Sequence, residues 1–251
     1  MRLERISWVK AEEYFKENDM VLLITGSLEC HGRHLPLGTD TLIPNKIAEL
    51  IEEKSDVLIA PTLPYGVCDY LTGYPGTVSL GDSAYYQTMS AIVNCLRAHG
   101  ARKFAVLNGH GGNRPVLDRI SSDLDKVGCI MVQLNWWLMA WDLDPAWKGG
   151  HGGGEETAGV MAVDPGLVDK DAIAESVFTD LSDEIRSSGL ATLRFENIDL
   201  PCRRDIRSIN DNGWAGPDHP KYATEEWGNA MVQACADYIV RFLEAFKKVK
   251  L

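Results

Sequence analysis

The chain has 251 residues, 45% of them hydrophobic and 24% charged, a balance that fits a folded globular protein and excludes a disordered one. Its formal charge of −11 argues against nucleic acid or an anionic membrane as the main partner. No run of about 18 apolar residues occurs, and Met1-Arg2-Leu3-Glu4-Arg5 lacks the apolar stretch of a secretory signal, so the expectation is a cytoplasmic protein without a transmembrane helix.

In chain order, Met20 to Ile24 reads as a buried strand, and residues 40–54 as a helix with Ile43, Ile47, Leu50 and Ile51 on one face. Val57 to Ala60 is a second strand, and residues 83–98 form a helix with Tyr85, Met89, Ile92, Val93 and Leu96 at helical spacing. Phe104 to Leu107 is a third strand, 114–127 a helix, and Cys129 to Leu134 a fourth strand. Residues 222–249 close the chain with a long helix whose apolar face carries Val232, Cys235, Ile239, Phe242 and Phe246. Strands alternating with helices predict a mainly parallel sheet covered on both faces. No repeat or low-complexity linker divides the chain, so one domain over residues 1–251 is expected. The six cysteines are scattered without a CxxC pair and read mostly as small buried hydrophobes in a reducing compartment.

The loops carry the chemistry. In open α/β sheets, ligands bind beyond the carboxyl ends of the strands. Three loops beginning at such ends stand out: residues 26–40, residues 72–77 and Asn108-Gly-His-Gly-Gly-Asn113. A fourth glycine-rich stretch, 149–157, opens a helix, and four of the six histidines (His31, His34, His110, His151) lie in these segments. Glu29-x-His31 lets a carboxylate and an imidazole point the same way from extended backbone. Asp40 can either cap the following helix or bridge two cations. Mixed oxygen and nitrogen donors suit Zn²⁺, Mn²⁺ or Fe²⁺. Blander readings exist for each feature. NGHGGN can be a phosphate cradle, Cys30 a nucleophile with a neighbouring histidine, and 149–154 a flexible loop. Trp136, Trp137, Trp141 and Trp147 suit core or subunit interface as well as a substrate wall.

Taken together, these residues resemble a known family. GSLECHGRHLPLGTD is similar to the signature of the creatininase (creatinine amidohydrolase) family, NGHGGN to its second motif, and HGGGEET to its third, with Gly152 in place of the usual alanine. YPGTVSL (Tyr74 to Leu80) resembles a further family segment, as do Gly213-Trp-Ala-Gly-Pro and the Ala223 to Gly228 stretch near the C-terminus.

The resemblance implies a three-layer α/β/α sandwich, two divalent metal ions per chain and a homo-oligomer, often a hexamer. It implies metal ligation by Glu29, His31, Asp40 and His110, with Asp40 bridging. The creatinine-hydrolysing branch follows its second-motif histidine with Tyr and a metal-binding Glu, where this chain has Gly111 and Gly112. The missing carboxylate is therefore assigned to Glu156, with Glu155 the alternative. Trp147, four residues before His151, matches the creatininase branch. The implied reaction is cleavage of a small amide or cyclic amide C–N bond by a metal-activated water, with His151 or Glu155 moving a proton to the leaving nitrogen. Trp147, Tyr74 and Gly111 are the expected substrate contacts. Other branches deformylate a formylamino-pyrimidine nucleotide or process a peptide. Arg33, His34, Arg203, Arg204 and Arg207 are candidates for an anionic substrate or for solvated surface charge. Outside this class stand a non-catalytic phosphate or nucleotide binder built on GHGGN, and a metal-stabilised structural subunit.

Overall fold

A computed structural model describes residues 1–251. Four parallel strands form the central sheet: β1 (Met20–Thr25), β2 (Leu58–Ile59), β3 (Lys103–Asn108) and β4 (Ile130–Asn135), in the order β2-β1-β3-β4. β1 and β3 are buried at all six positions, as central strands covered on both faces must be. They run in register from Met20↔Lys103 to Thr25↔Asn108.

Alternate side chains feed two separate cores. Met20, Leu22, Ile24, Ala105 and Leu107 pack against α2 (Thr39–Glu52), α5 (Trp136–Leu143), α6 (Gly154–Val163) and α7 (Glu225–Lys247). Val21, Leu23, Phe104 and Val106 pack against α1 (Trp8–Glu17), α3 (Gly81–Ala98) and α4 (Arg114–Asp125). This is a three-layer α/β/α fold. Each fully buried Leu, Ile or Phe here contributes roughly 1.5–3 kcal/mol. No helix is long and apolar enough to cross a membrane.

The four strands and the helices α2, α3, α4 and α7 fall within a few residues of the sequence-predicted spans. The sequence reading passed over α1, α5 and the antiparallel sheet β5 (Ile185–Gly189), β6 (Thr192–Phe195) and β7 (Ile198–Pro201). The last is mostly solvent-exposed and so carries no clear buried-face alternation.

α6 is buried nearly all round, between α2 and α7. That position requires small residues. A Cβ at Gly228 of α7 would overlap the Ala158 carbonyl and meet Ala162 Cβ at 3.2 Å. Gly228→Ala is therefore expected to destabilise the fold by about 1–3 kcal/mol, the usual cost of overpacking, read as a lower urea midpoint at unchanged m-value.

The topology positions the site. β1 leads through α2 to β2 on one side, and β3 leads through α4 to β4 on the other, with α2 and α4 on opposite faces. The carboxyl ends of β1 and β3 therefore flank a topological switch point, where open α/β sheets leave a crevice.

Candidate metal centre

Four segments converge at that crevice. The loop after β1 supplies Glu29 and His31, the first turn of α2 supplies Asp40, the turn after β3 supplies His110, and the start of α6 with the residues just before it supplies Glu156 and His151. Side-chain exposures run from 0% for His31 to 14% for His151. Asp40 is central: its Oδ1 lies 3.0 Å from His31 Nε2 and its Oδ2 2.9 Å from His110 Nδ1. Ser27 Oγ donates to Oδ2 at 2.9 Å. The alternative role of Asp40 as a helix cap is not realised, since α2 begins without a side-chain cap bond. Glu29 Oε1 stands 3.2 Å from His110 Nδ1 and 3.7 Å from His151 Nδ1, and Glu156 Oε2 stands 3.5 Å from His31 Nε2.

Each imidazole is anchored on its far side by a backbone carbonyl. His31 Nδ1 faces the Glu29 oxygen at 3.1 Å, His110 Nε2 the Val67 oxygen at 2.8 Å, and His151 Nε2 the Cys30 oxygen at 2.8 Å. If the anchored nitrogen carries the hydrogen, the inner nitrogen presents a lone pair toward carboxylates. Such an outer hydrogen bond is what fixes ring and tautomer in metal-ligating histidines. Glu29 Oε2 and His31 Nε2 are buried with no hydrogen-bond partner. Lone pairs facing carboxylates in a buried site require positive charge between them. The donor set fits divalent cations, and three overlapping groups satisfy ligand spacing: Glu29, Asp40 and His110; His31, Asp40 and Glu156; and Glu29, His31 and His151.

Electrostatics carries the same requirement. Burial opposes charging His31, yet Asp40, Glu156 and Glu29 outweigh it and push the imidazole up to about 10. His110 moves the same way, its burial overcome by Glu29 and Asp40. Without a metal, protons would have to supply the neutralising charge.

Beside the cluster lies a cavity of about 220 Å³, walled by Tyr70, Gly111, Trp137, Trp141, Glu155 and Leu190 among others. Glu155 is the buried wall carboxyl. Burial first, then the neighbouring Glu156 and Asp218 charges, push it up to about 10, which favours its protonated form. Trp141 Nε1 donates to its Oε1 at 2.8 Å and fixes its orientation. The consecutive glutamates therefore separate, Glu156 into the cluster and Glu155 into the wall.

His151, read from sequence as a proton carrier, has its inner nitrogen turned to the cluster and its outer one tied down. Gly111 does line the cavity. The other two expected substrate contacts do not. Trp147 packs against the core from a 3-10 turn, and Tyr74 donates its hydroxyl to the Asn210 carbonyl at 2.5 Å within a small cluster with Leu71 and Ile206. Cys30 belongs to that same cluster, and burial raises its thiol pKa, which removes the nucleophile reading. The phosphate-cradle reading of NGHGGN has three of its backbone donors already engaged. Gly109 N–H donates to Thr25, His110 N–H to Asn108 Oδ1, and Asn113 N–H to His110. Gly109 is needed for close approach, since a Cβ there would overlap the Asp40 carbonyl. Sequence reasoning missed Tyr70 and Leu190 as wall residues, and offered four tryptophans for a wall of which Trp137 and Trp141 line the cavity. The tryptophan run was visible, but which indoles face the cavity depends on the phase of α5, and nothing local marks Leu190 at the β5–β6 turn.

A family model described as creatinine amidohydrolase matches residues 4–243. Creatinine amidohydrolase of Pseudomonas putida is 27% identical over 199 residues, covering 68% of this chain and 74% of that protein. A 3-dehydro-scyllo-inosose hydrolase of Thermotoga maritima is 31% identical over 128 residues, 50% of this chain and 41% of that protein. A mycofactocin precursor peptide peptidase of Mycolicibacterium smegmatis is 37% identical over 100 residues, 38% of this chain and 40% of that protein. A solved structure described as creatininase Mn superposes with a TM-score of 0.77 at 24% identity, over 99% of both chains. At that identity the likeness is one of fold.

Proposed function

This chain belongs to the creatininase family, a hydrolase family, and we propose that it hydrolyses a C–N bond of a small, neutral or cationic amide or cyclic amide with the help of two divalent cations. The observation that carries the reading is the convergence of Glu29, His31, Asp40, His110, His151 and Glu156, with Glu29 Oε2 and His31 Nε2 unpartnered and the outer imidazole nitrogens anchored.

Glu29, Asp40 and His110 would hold one cation, and His31, Asp40 and Glu156 the other, with Asp40 shared and His151 within reach as a further ligand. The mixed donors suit Zn²⁺, Mn²⁺ or Fe²⁺. Bound there, the ions supply Lewis-acid polarisation of a carbonyl and a water acidified toward neutrality. The chain's own residues do the rest. Glu155 holds a proton at the cavity wall and delivers it to the leaving nitrogen, the step that turns an amine into a competent leaving group. Trp137, Trp141 and Tyr70 give the cavity an aromatic wall suited to a flat ligand.

The cavity wall contains carboxyl groups and no lysine or arginine. This speaks against the formylamino-pyrimidine nucleotide alternative, whose phosphate would need cations. Of the arginines that sequence offered for an anion, two pair with a surface carboxylate, and Arg203 stands behind the wall residue Tyr70 without lining the cavity. Arg33 and Arg207 pair with Asp211, Arg203 stacks 5.6 Å from the Tyr70 ring centre, and Arg204 donates to Ser187. The size of the cavity supports a small molecule over a peptide.

The test is metal content joined to turnover. Elemental analysis should find about two divalent ions per chain, and chelation should abolish hydrolysis of creatinine-like cyclic amides, with Mn²⁺ or Zn²⁺ restoring it. A formylamino-pyrimidine nucleotide should remain uncleaved. A protein that binds no divalent ion at micromolar supply sinks the proposal.

A further inference from the structure

The glycine-rich segment before α6 wraps the carboxylate of a residue distant in sequence. Asp218 Oδ2 accepts the Glu155 N–H at 2.6 Å, and the Asp218 carbonyl accepts the Gly154 N–H at 3.2 Å. Glycine positions close around that side chain. A Cβ at Gly149 would stand 2.5 Å from Oδ2, one at Gly216 2.6 Å from Oδ1, and one at Gly153 would overlap Oδ1. A Cβ at Gly154 would stand 3.1 Å from Oδ2. Any ordinary side chain at the first three would displace the carboxylate.

The same helix lacks a cap of its own. α6 begins at Gly154, its N-cap is Gly153, and no cap-residue side chain bonds its first turn. The free N–H groups of a helix start need acceptors, and an N-cap carboxylate ordinarily meets the second or third of them. Asp218 makes that bond to the second residue of the helix, from 63 residues away. The second and third residues of α6 are Glu155 and Glu156, which face the cavity wall and the ligand cluster respectively.

We propose that Asp218 is a positioning residue, a remote N-cap that fixes the first turn of α6 so that the two consecutive glutamates point to different tasks, with glycines 149, 153, 154 and 216 serving as its cradle. The capping role stands on geometry alone, and its consequence for the metals rests on the reading of the site given above.

Two measurements that need no substrate test it: amide exchange at Gly154 and Glu155 in the chelated protein, and the rise in thermal midpoint on adding Mn²⁺. Asp218→Ala is expected to speed exchange at the Glu155 amide by about tenfold or more, with the Gly154 amide, whose acceptor is the main-chain carbonyl of residue 218, changing less, and to shrink the Mn²⁺-dependent rise. Asp218→Asn retains an acceptor of nearly equal capping strength and should keep both the protection and the rise, a rescue that loss of general packing would not give. Gly153→Ala retains Asp218 but displaces its carboxylate, and should reproduce the alanine effect; it also serves if Asp218→Ala fails to fold. Wild-type exchange and wild-type Mn²⁺ response in Asp218→Ala or in Gly153→Ala overturns the proposal, as does an Asn variant as impaired as the Ala variant. If the unmutated protein shows no Mn²⁺ response while exchange follows the pattern above, the cap stands and the metal reading fails.

Discussion

Asp40→Ala is expected to lose divalent-metal uptake and hydrolysis together. Asp40 is the one side chain within about 3 Å of two inner imidazole nitrogens, one oxygen toward His31 and the other toward His110. Its removal takes an anionic donor from both ligand groups that contain it. Turnover should fall about 10³-fold or more, because Lewis-acid assistance is worth several kcal/mol and each 1.36 kcal/mol is tenfold. The fold should survive. Asp40 makes no cap bond, and the turn into α2 is held by Thr39 Oγ1 donating to Pro36 and Thr41 Oγ1 donating to Gly38, each at 2.8 Å. Elemental analysis, steady-state kinetics and far-UV circular dichroism on one preparation check all three parts. A variant that keeps a full metal load and normal turnover would remove Asp40 from the centre.

Glu155→Gln separates chemistry from metal binding. The amide matches the carboxyl in shape and still accepts the Trp141 N–H, so the wall geometry is kept. What is lost is the acid proton that burial and the neighbouring carboxylates hold on Glu155. kcat should drop by about 10² to 10⁴, the range for a positioned general acid, with KM changed little and metal content unchanged. Turnover within tenfold of the unmutated chain would show that the proton reaches the leaving group from elsewhere. The neighbouring Glu156→Gln makes the contrast, since Glu156 sits in the ligand cluster and its loss should lower metal content.

Much of this protein was legible before any coordinates. Uninterrupted apolar runs such as Met20–Ile24 announce parallel strands buried on both faces, because only such strands lack a polar side. The Glu29, His31, Asp40 and His110 set was legible because the ends of parallel strands deliver their loops to one edge of the sheet. Local sequence could not decide between Glu155 and Glu156, since adjacent residues on a helix diverge by about 100° and only the packing of α6 between α2 and α7 says which way each points. The same holds for the tryptophans. Trp147 stands near His151 in sequence yet packs on the core, whereas Trp137 and Trp141 reach the cavity. Tyr74 sits in a recognisable motif and spends its hydroxyl on a backbone carbonyl.

What sequence by itself determined was the layer order, the family and the candidate ligand residues, because these follow from periodicity and from motifs each contained in one short segment. Only the tertiary structure decided where each carboxyl points, which residues wall the cavity and what meets Asp218, because those depend on segments far apart in the chain meeting at atomic distance. A contact such as Asp218 Oδ2 to the Glu155 N–H leaves no local periodicity, so nothing short of the folded chain reveals it.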